Sequence, residues 1–159
     1  MRKFKIIGAL VAVGALLAAC SGTGSDGGSD DTAKKDFTYA VITHGAPGDA
    51  FWDRVKSGAE QAGKDYGVKV EYSSDADPAK QSQVIDGAVA DKVDGIVISM
   101  ANPDGLEASV KKAVAAGVPV ITINSGVDRF KEFGATTHIG QTETIAGEAV
   151  GERLKAEGL

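Results

Sequence analysis

Val93-Asp94-Gly95-Ile96-Val97-Ile98-Ser99 and Gly117-Val118-Pro119-Val120-Ile121-Thr122-Ile123-Asn124 are the stretches that decide the fold. Ile96-Val97-Ile98 and Val118-Pro119-Val120-Ile121 are near-continuous apolar runs. A strand with one wet face alternates apolar and polar side chains. A strand inside a parallel sheet is covered on both faces and does not alternate. Between the two runs, Leu106, Val110, Ala113 and Val114 recur at helical spacing. Strand, helix, strand is a βαβ unit.

The alternation continues outward in both directions. Phe37-Thr43, Val68-Ser73 and Thr136-Ile139 predict three more strands. A buried stripe through Trp52, Val55, Ala59, Ala62 and Tyr66 predicts a first helix. Val84, Ile85, Ala88, Val89 and Asp91 predict a second, and a fourth begins near Thr144 with Ala146, Val150 and Leu154. Asp77-Pro78 reads as an N-cap followed by Pro in the first turn. Gly67 and Gly117 sit where a helix ends in a left-handed residue. One unit every roughly 25–30 residues gives right-handed crossovers and an α/β, doubly wound parallel sheet with helices on both faces. Pattern alone leaves the strand order open.

The first 36 residues read differently. Arg2, Lys3 and Lys5 precede the apolar run Ile6–Leu17, which is too short for a comfortable membrane span and ends in Leu17-Ala18-Ala19-Cys20. That is the form of a secretory signal. Cys straight after Leu-Ala-Ala also resembles the bacterial lipobox, which implies that Cys20 is lipidated and becomes the mature N-terminus. The expected divisions are a lipoprotein signal over 1–19, Cys20 with a Gly/Ser/Asp tether over 20–36, and a folded lobe over 37–159. The tether is too polar to bury much surface, so it is expected to stay flexible. Its reach is on the order of 50 Å at ~3.3 Å per residue. The chain is thereby expected outside the cytoplasmic membrane, held to it by lipid, in the periplasm or at the cell surface.

The whole chain has 17 Lys and Arg against 22 Asp and Glu. Three of the cations lie in the signal with no acid, leaving 14 against 22, a net −8. Such a surface repels nucleic acid and anionic headgroups, so nucleic acid is not an expected partner. One Cys allows no intrachain disulfide.

In an open α/β sheet, ligands bind outside the carboxyl ends of the strands. The residues there are His44-Gly45-Ala46-Pro47-Gly48-Asp49, Ser73-Ser74-Asp75, Met100-Ala101-Asn102, Asn124-Ser125-Gly126 and Gly140-Gln141-Thr142. Asn102, Asn124, Ser125 and Gln141 can donate and accept hydrogen bonds to a neutral polyol. The set holds no Lys or Arg for phosphate. Phe51 and Trp52 open the first helix beside it. Successive helical residues point about 100° apart, so the two rings cannot share one direction, and at least one is expected to look into the crevice. A flat ring packs on the C–H face of a sugar, although both rings could instead plug the core.

Other chemistries fit less well. His44 and His138 lack metal-ligand spacing and a Cys partner, so no metal is expected. Ser125 or Ser99 with His138 lacks a G-x-S-x-G turn, so no hydrolase triad is expected. Gly45-Ala46-Pro47-Gly48 lacks the phosphate-binding glycine spacing. Asp49 occupies the helix N-terminus that a phosphate would need, which makes it a cap or an acceptor of ligand hydroxyls. No cofactor is expected.

Several pieces together resemble the N-terminal lobe of type I periplasmic binding proteins, in particular the ribose- and galactose-type sugar receptors of bacterial ABC importers. They are Ala50-Phe51-Trp52 with Val55-Lys56-Ser57-Gly58-Ala59, Val93–Ile98, Asn102-Pro103-Asp104, Gly117–Asn124, His138-Ile139-Gly140-Gln141 and Ala146-Gly147. The resemblance covers Phe37 to about Leu159. It implies two lobes about a hinge, a strand order of 2-1-3-4-5, and a sugar packed on Phe51 and Trp52 with Asp49 as a polar contact. An acid usually follows the fourth strand in that family. Here Asn124 stands there, followed by Ser125 rather than a cation, which leaves the sugar open. The chain ends where the second lobe would begin, so a truncated sequence is expected.

The expected function is a lipid-anchored receptor that hands a sugar to an ABC permease and performs no chemistry. The alternatives are a secreted α/β enzyme acting on a small polar substrate, or a sugar-sensing module for a chemoreceptor or kinase. Recovering an incubated ligand chemically changed would favour the enzyme.

Overall fold

The structure, a computed structural model, describes residues 36–159. Cys20, the signal and nearly all of the tether lie outside the described residues. Five strands and four helices alternate except that β5 follows β4 without a helix: β1 (Thr38–Thr43), α1 (Ala50–Tyr66), β2 (Lys69–Ser74), α2 (Pro78–Ala90), β3 (Gly95–Ile98), α3 (Pro103–Ala115), β4 (Val120–Ile123), β5 (Thr137–Ile139) and α4 (Glu143–Ala156). Each strand lies within two residues of its predicted place, and each predicted apolar stripe falls on a helix, the Asp91 of the second lying just past α2. All pairings are parallel and the order is β2-β1-β3-β4-β5, as the resemblance implies.

The caps follow the sequence. Asp77 accepts the Ala79 N–H at 2.8 Å ahead of Pro78. Gly67 closes α1 at φ 64°, in the left-handed region where a Cβ is costly. Alternate strand residues face opposite sides of the sheet. On one side, Ala40, Ile42, Ile96, Ile98 and Val120 meet Ile85 and Ala88 of α2 and Leu106, Val110 and Ala113 of α3. Phe130, Phe133 and Ala135, from the β4–β5 connection, close this core.

The other side is only half covered. Tyr39, Val41, Val97, Ile121 and Ile123 face α1, yet an apolar groove of about 760 Å³ remains open beside them. Here the structure departs from the expected buried stripe. Trp52 is buried, Val55 and Ala59 are half-buried, Ala62 is exposed, and Tyr66 is 82% exposed. The spacing of the stripe is right, but among the described residues no second helix covers the lower end of α1. α4 forms directly after β5 and buries none of its residues.

Candidate functional site

Asp49 positions the site. Its Oδ1 accepts the N–H groups of Phe51 at 2.9 Å and Trp52 at 3.4 Å, fixing the first turn of α1 at the carboxyl end of β1. Asp49 is thus the cap that the sequence allowed, with its carboxylate exposed. The two rings diverge as the helix requires. Trp52 turns inward and is 6% exposed, whereas Phe51 stands out at 55%. Their centroids lie 5.0 Å apart with planes at 90°, a favourable edge-to-face contact.

The Trp52 indole rests on the backbone of Gly45, where a Cβ would collide with the ring and its root. The Gly45 carbonyl accepts from Ser74 Oγ at 2.6 Å. Thr43 Oγ1 in turn donates to Ser74 Oγ at 2.9 Å and lies 2.7 Å from the Tyr72 hydroxyl. Short polar bonds from β2 therefore hold the β1–α1 turn beneath the aromatic pair.

A cleft of about 410 Å³ opens between this pair and the ends of β4 and β5. Phe51, Trp52 and Val55 form one wall, Ile123 and Ile139 contribute apolar surface, and Asn124, Gly140, Gln141 and Glu143 form the other wall. Asn124 adopts φ 60°, a left-handed conformation that Asn tolerates better than most residues. Its N–H donates to the Ile139 carbonyl at 3.0 Å, tying β4 to β5 at the cleft. Gln141 Nε2 donates to Glu143 Oε2 at 2.8 Å. One wall is thus aromatic and the other carries amide and carboxylate groups, a surface suited to a ligand with an apolar face and a rim of hydroxyls.

Of the residues singled out in the sequence, Phe51, Trp52, Asn124 and Gln141 line this cleft, and Asp49 caps the helix that carries the two rings. Ser125 bonds Asn124 Oδ1 at 2.8 Å but lines a neighbouring hollow with Met100, Gly126 and Arg129. Asn102 is not brought to either hollow. Its Oδ1 accepts the Gly105 N–H at 3.0 Å and caps α3. Glu143 went unnoticed because it lies past the strand end, in the first turn of α4. The structure also brings a cation to the rim that the strand-end reading lacked. Arg129 pairs with Asp104 at 2.6 Å, Glu132 at 2.8 Å and Glu107 at 3.6 Å. Hydrogen bonds to Glu132 and Asp104 raise its pKa further, and its charge is already matched.

His44 is half-buried beneath the aromatic pair. Its backbone N–H donates to Ser99 Oγ at 3.0 Å, and its Nδ1 lies 2.8 Å from the same hydroxyl. His138 is elsewhere, with Nδ1 2.8 Å from Thr122 Oγ1 and its ring 5.8 Å from that of Phe130. Among the described residues no cluster of three or more His, Cys, Asp or Glu could hold a metal ion.

The periplasmic binding protein domain family matches residues 39–158. A fructose import binding protein from Bifidobacterium longum is 32% identical over 160 residues, covering 96% of this chain and 48% of that protein. A ribose import binding protein from Bacillus subtilis is 28% identical over 134 residues, covering 82% of this chain and 42% of that protein. A crystal structure of a carbohydrate transporter from Acidothermus cellulolyticus, in complex with myo-inositol, superposes with a TM-score of 0.74 at 45% identity. It covers 78% of this chain and 43% of that one. The chain therefore spans about half the length of the curated relatives it matches. These relatives are sugar-binding proteins of import systems, and the five-stranded parallel sheet has the order of a type I lobe. With the family matching residues 39–158 and the sheet in the order of a type I lobe, this chain belongs to the periplasmic binding protein family.

Proposed function

We propose that this chain supplies one wall of a sugar receptor, lipid-anchored outside the cytoplasmic membrane, which delivers an uncharged sugar or cyclic polyol to an ABC permease. The observation that carries the reading is the Phe51 ring, held 55% exposed across a cleft from Asn124 and Gln141. The ring stands at the start of α1 and lines the cleft rather than the core. It offers a flat face to the C–H side of a sugar, while amides opposite can bond hydroxyls as donor and acceptor. The names of the relatives point the same way: fructose, ribose and myo-inositol are all neutral and polyhydroxylated. In this reading Asp49, Phe51, Trp52, Asn124 and Gln141 contact or frame the ligand. Ser125 acts from the adjoining hollow, and Asn102 holds the start of α3 beside it as its cap.

The ligand leaves unchanged, because binding and release are the whole task. Titrating the chain with D-fructose, D-ribose and myo-inositol, and recovering each afterwards, tests both points. Saturable binding of at least one with unaltered recovery is expected, and a converted product would favour the enzyme reading. The anchor rests on Leu17-Ala18-Ala19-Cys20. One acyl chain anchors only marginally, so a multiply acylated Cys20 is expected. Cys20→Ser should release the protein from the membrane fraction, and retention there would remove the anchor from the account.

A further inference from the structure

We propose that His44 is a positioning residue for the ligand wall: gripped by Ser99, it buttresses Trp52, which in turn sets the Phe51 ring that faces the cleft. The proposal rests on the sugar-binding reading above.

The chain of contacts is continuous. Ser99 is fully buried at the end of β3, and its carbonyl is fixed by Gln81 Nε2 of α2 at 2.8 Å. Its Oγ accepts the His44 N–H and lies 2.8 Å from His44 Nδ1. The imidazole meets the Trp52 indole edge-on, with centroids 4.7 Å apart and planes at 70°. Trp52 meets Phe51 the same way at 5.0 Å. Gly45 lies against the indole, so the ring has little freedom to drift from His44.

The hydrogen count selects the state of the imidazole. A serine hydroxyl has one proton and two lone pairs. One lone pair of Ser99 Oγ already takes the His44 N–H. If the hydroxyl proton goes to Nδ1, both the Ser99 hydroxyl and Nδ1 are satisfied, and His44 is neutral with its proton on Nε2. Protonating Nδ1 reverses that bond and leaves the buried hydroxyl proton without an acceptor. It also sets a charge against Trp52. Of the surrounding groups, Ser99, Gln81 and Trp52 are uncharged, as are Tyr72 and Ser74 of β2, which bond the residues flanking His44. Burial holds the His44 pKa below its ordinary 6.5, outweighing both a hydrogen bond with the Ser99 backbone and the field of Asp49 on the turn above, each of which favours protonation.

Trp52 is the only Trp in the chain, so its emission reports on this contact directly. Titrate the full chain from about pH 8 to about pH 4.5, across the ordinary histidine range. The emission is expected to change with an inflection below 6.5, to lose that inflection in His44→Gln, and to keep it in His138→Gln. His44→Phe keeps an aromatic edge against Trp52 but cannot titrate, and provides a second flat control should His44→Gln fold poorly. An inflection that survives both His44 variants, or is absent from the wild type, overturns the proposal. In parallel, measure myo-inositol, D-ribose and D-fructose binding by NMR at the two ends of the range. A roughly three- to tenfold loss of affinity at the acid end in wild type, absent in His44→Phe, is expected. Affinity that ignores pH while the emission titrates overturns it. No binding of any sugar at either pH, with the emission still titrating, overturns the sugar-binding reading itself, and the positioning role falls with it.

Discussion

Replacing Gly45 with Ala probes how rigidly the aromatic wall is built. A Cβ at residue 45 would sit 2.5 Å from Trp52 Cδ1 and 2.7 Å from Trp52 Cβ, with Cγ equally crowded. Carbon atoms prefer roughly 3.5–4.0 Å. Rotating the indole moves Cδ1 but not Cβ, which is fixed to the first turn of α1. The turn or the helix start must therefore move by about 1 Å to restore contact distance. The turn resists, because Ser74 Oγ holds the Gly45 carbonyl at 2.6 Å and Asp49 caps the helix. Overpacking of this kind costs about 1–3 kcal/mol. The loss of backbone freedom in the unfolded chain works the other way, by about 0.4–1 kcal/mol. The net is a destabilisation of about 1–2 kcal/mol, or a fall of roughly 3–10 °C in thermal midpoint for a domain of this size. Circular dichroism melting measures the midpoint, and the emission of Trp52 reports its displacement. A Gly45→Ala variant with an unchanged or raised midpoint and unaltered emission would refute the reasoning.

The two rings are expected to fail differently. Phe51→Ala keeps the fold and costs about 1–3 kcal/mol of sugar affinity in calorimetry, whereas buried Trp52→Ala costs about 3–5 kcal/mol of stability in denaturant melts. The two faces of the sheet are also unequal. Ile98→Ala, fully buried beneath α2 and α3, is expected to cost about 2–5 kcal/mol, and Ile121→Ala, half-buried over the open groove, clearly less in the same urea series. Stability should fall with acid. Because His44 titrates lower folded than unfolded, the unfolded chain binds the extra proton first. Its contribution is intact above 6.5 and declines as pH falls toward the folded pKa. Urea midpoints in wild type and His44→Phe at matched pH give the difference, and equal slopes for the two proteins would exclude His44 as the source.

Much of the fold was legible because parallel strands buried on both faces leave continuous apolar runs, as at Ile96-Val97-Ile98, and because Asp77-Pro78 and Gly67 mark helix ends by local backbone chemistry. The α1 stripe misled at Tyr66 for a reason no local pattern contains. Spacing shows which face of a helix is apolar, not whether a neighbour covers it. At the site, Phe51 and Trp52 were legible from helix geometry, and the 100° step between them separated the exposed ring from the buried one. The Asn102 amide was ambiguous in the sequence, since the same side chain suits a helix cap or a ligand hydroxyl, and the structure shows the cap. The His44–Ser99 bond joins residues 55 apart, and Arg129 reaches Asp104 across 25. Such pairings appear only once the strands are in register.

The most direct test of the central claim is a chemical-shift map of this chain during titration with myo-inositol, D-ribose and D-fructose. Tight small-ligand sites bury most of the ligand, and this cleft has one aromatic wall and an open side. Half of a micromolar binding energy of about −8 kcal/mol leaves millimolar affinity. The account predicts saturable, millimolar shifts at the Trp52 indole N–H, Phe51, Asn124, Gly140 and Gln141, weakened at least about fivefold in Phe51→Ala. Shifts that cluster instead along the groove at Val97 and Ile121, or none at about 50 mM of every sugar, would contradict it.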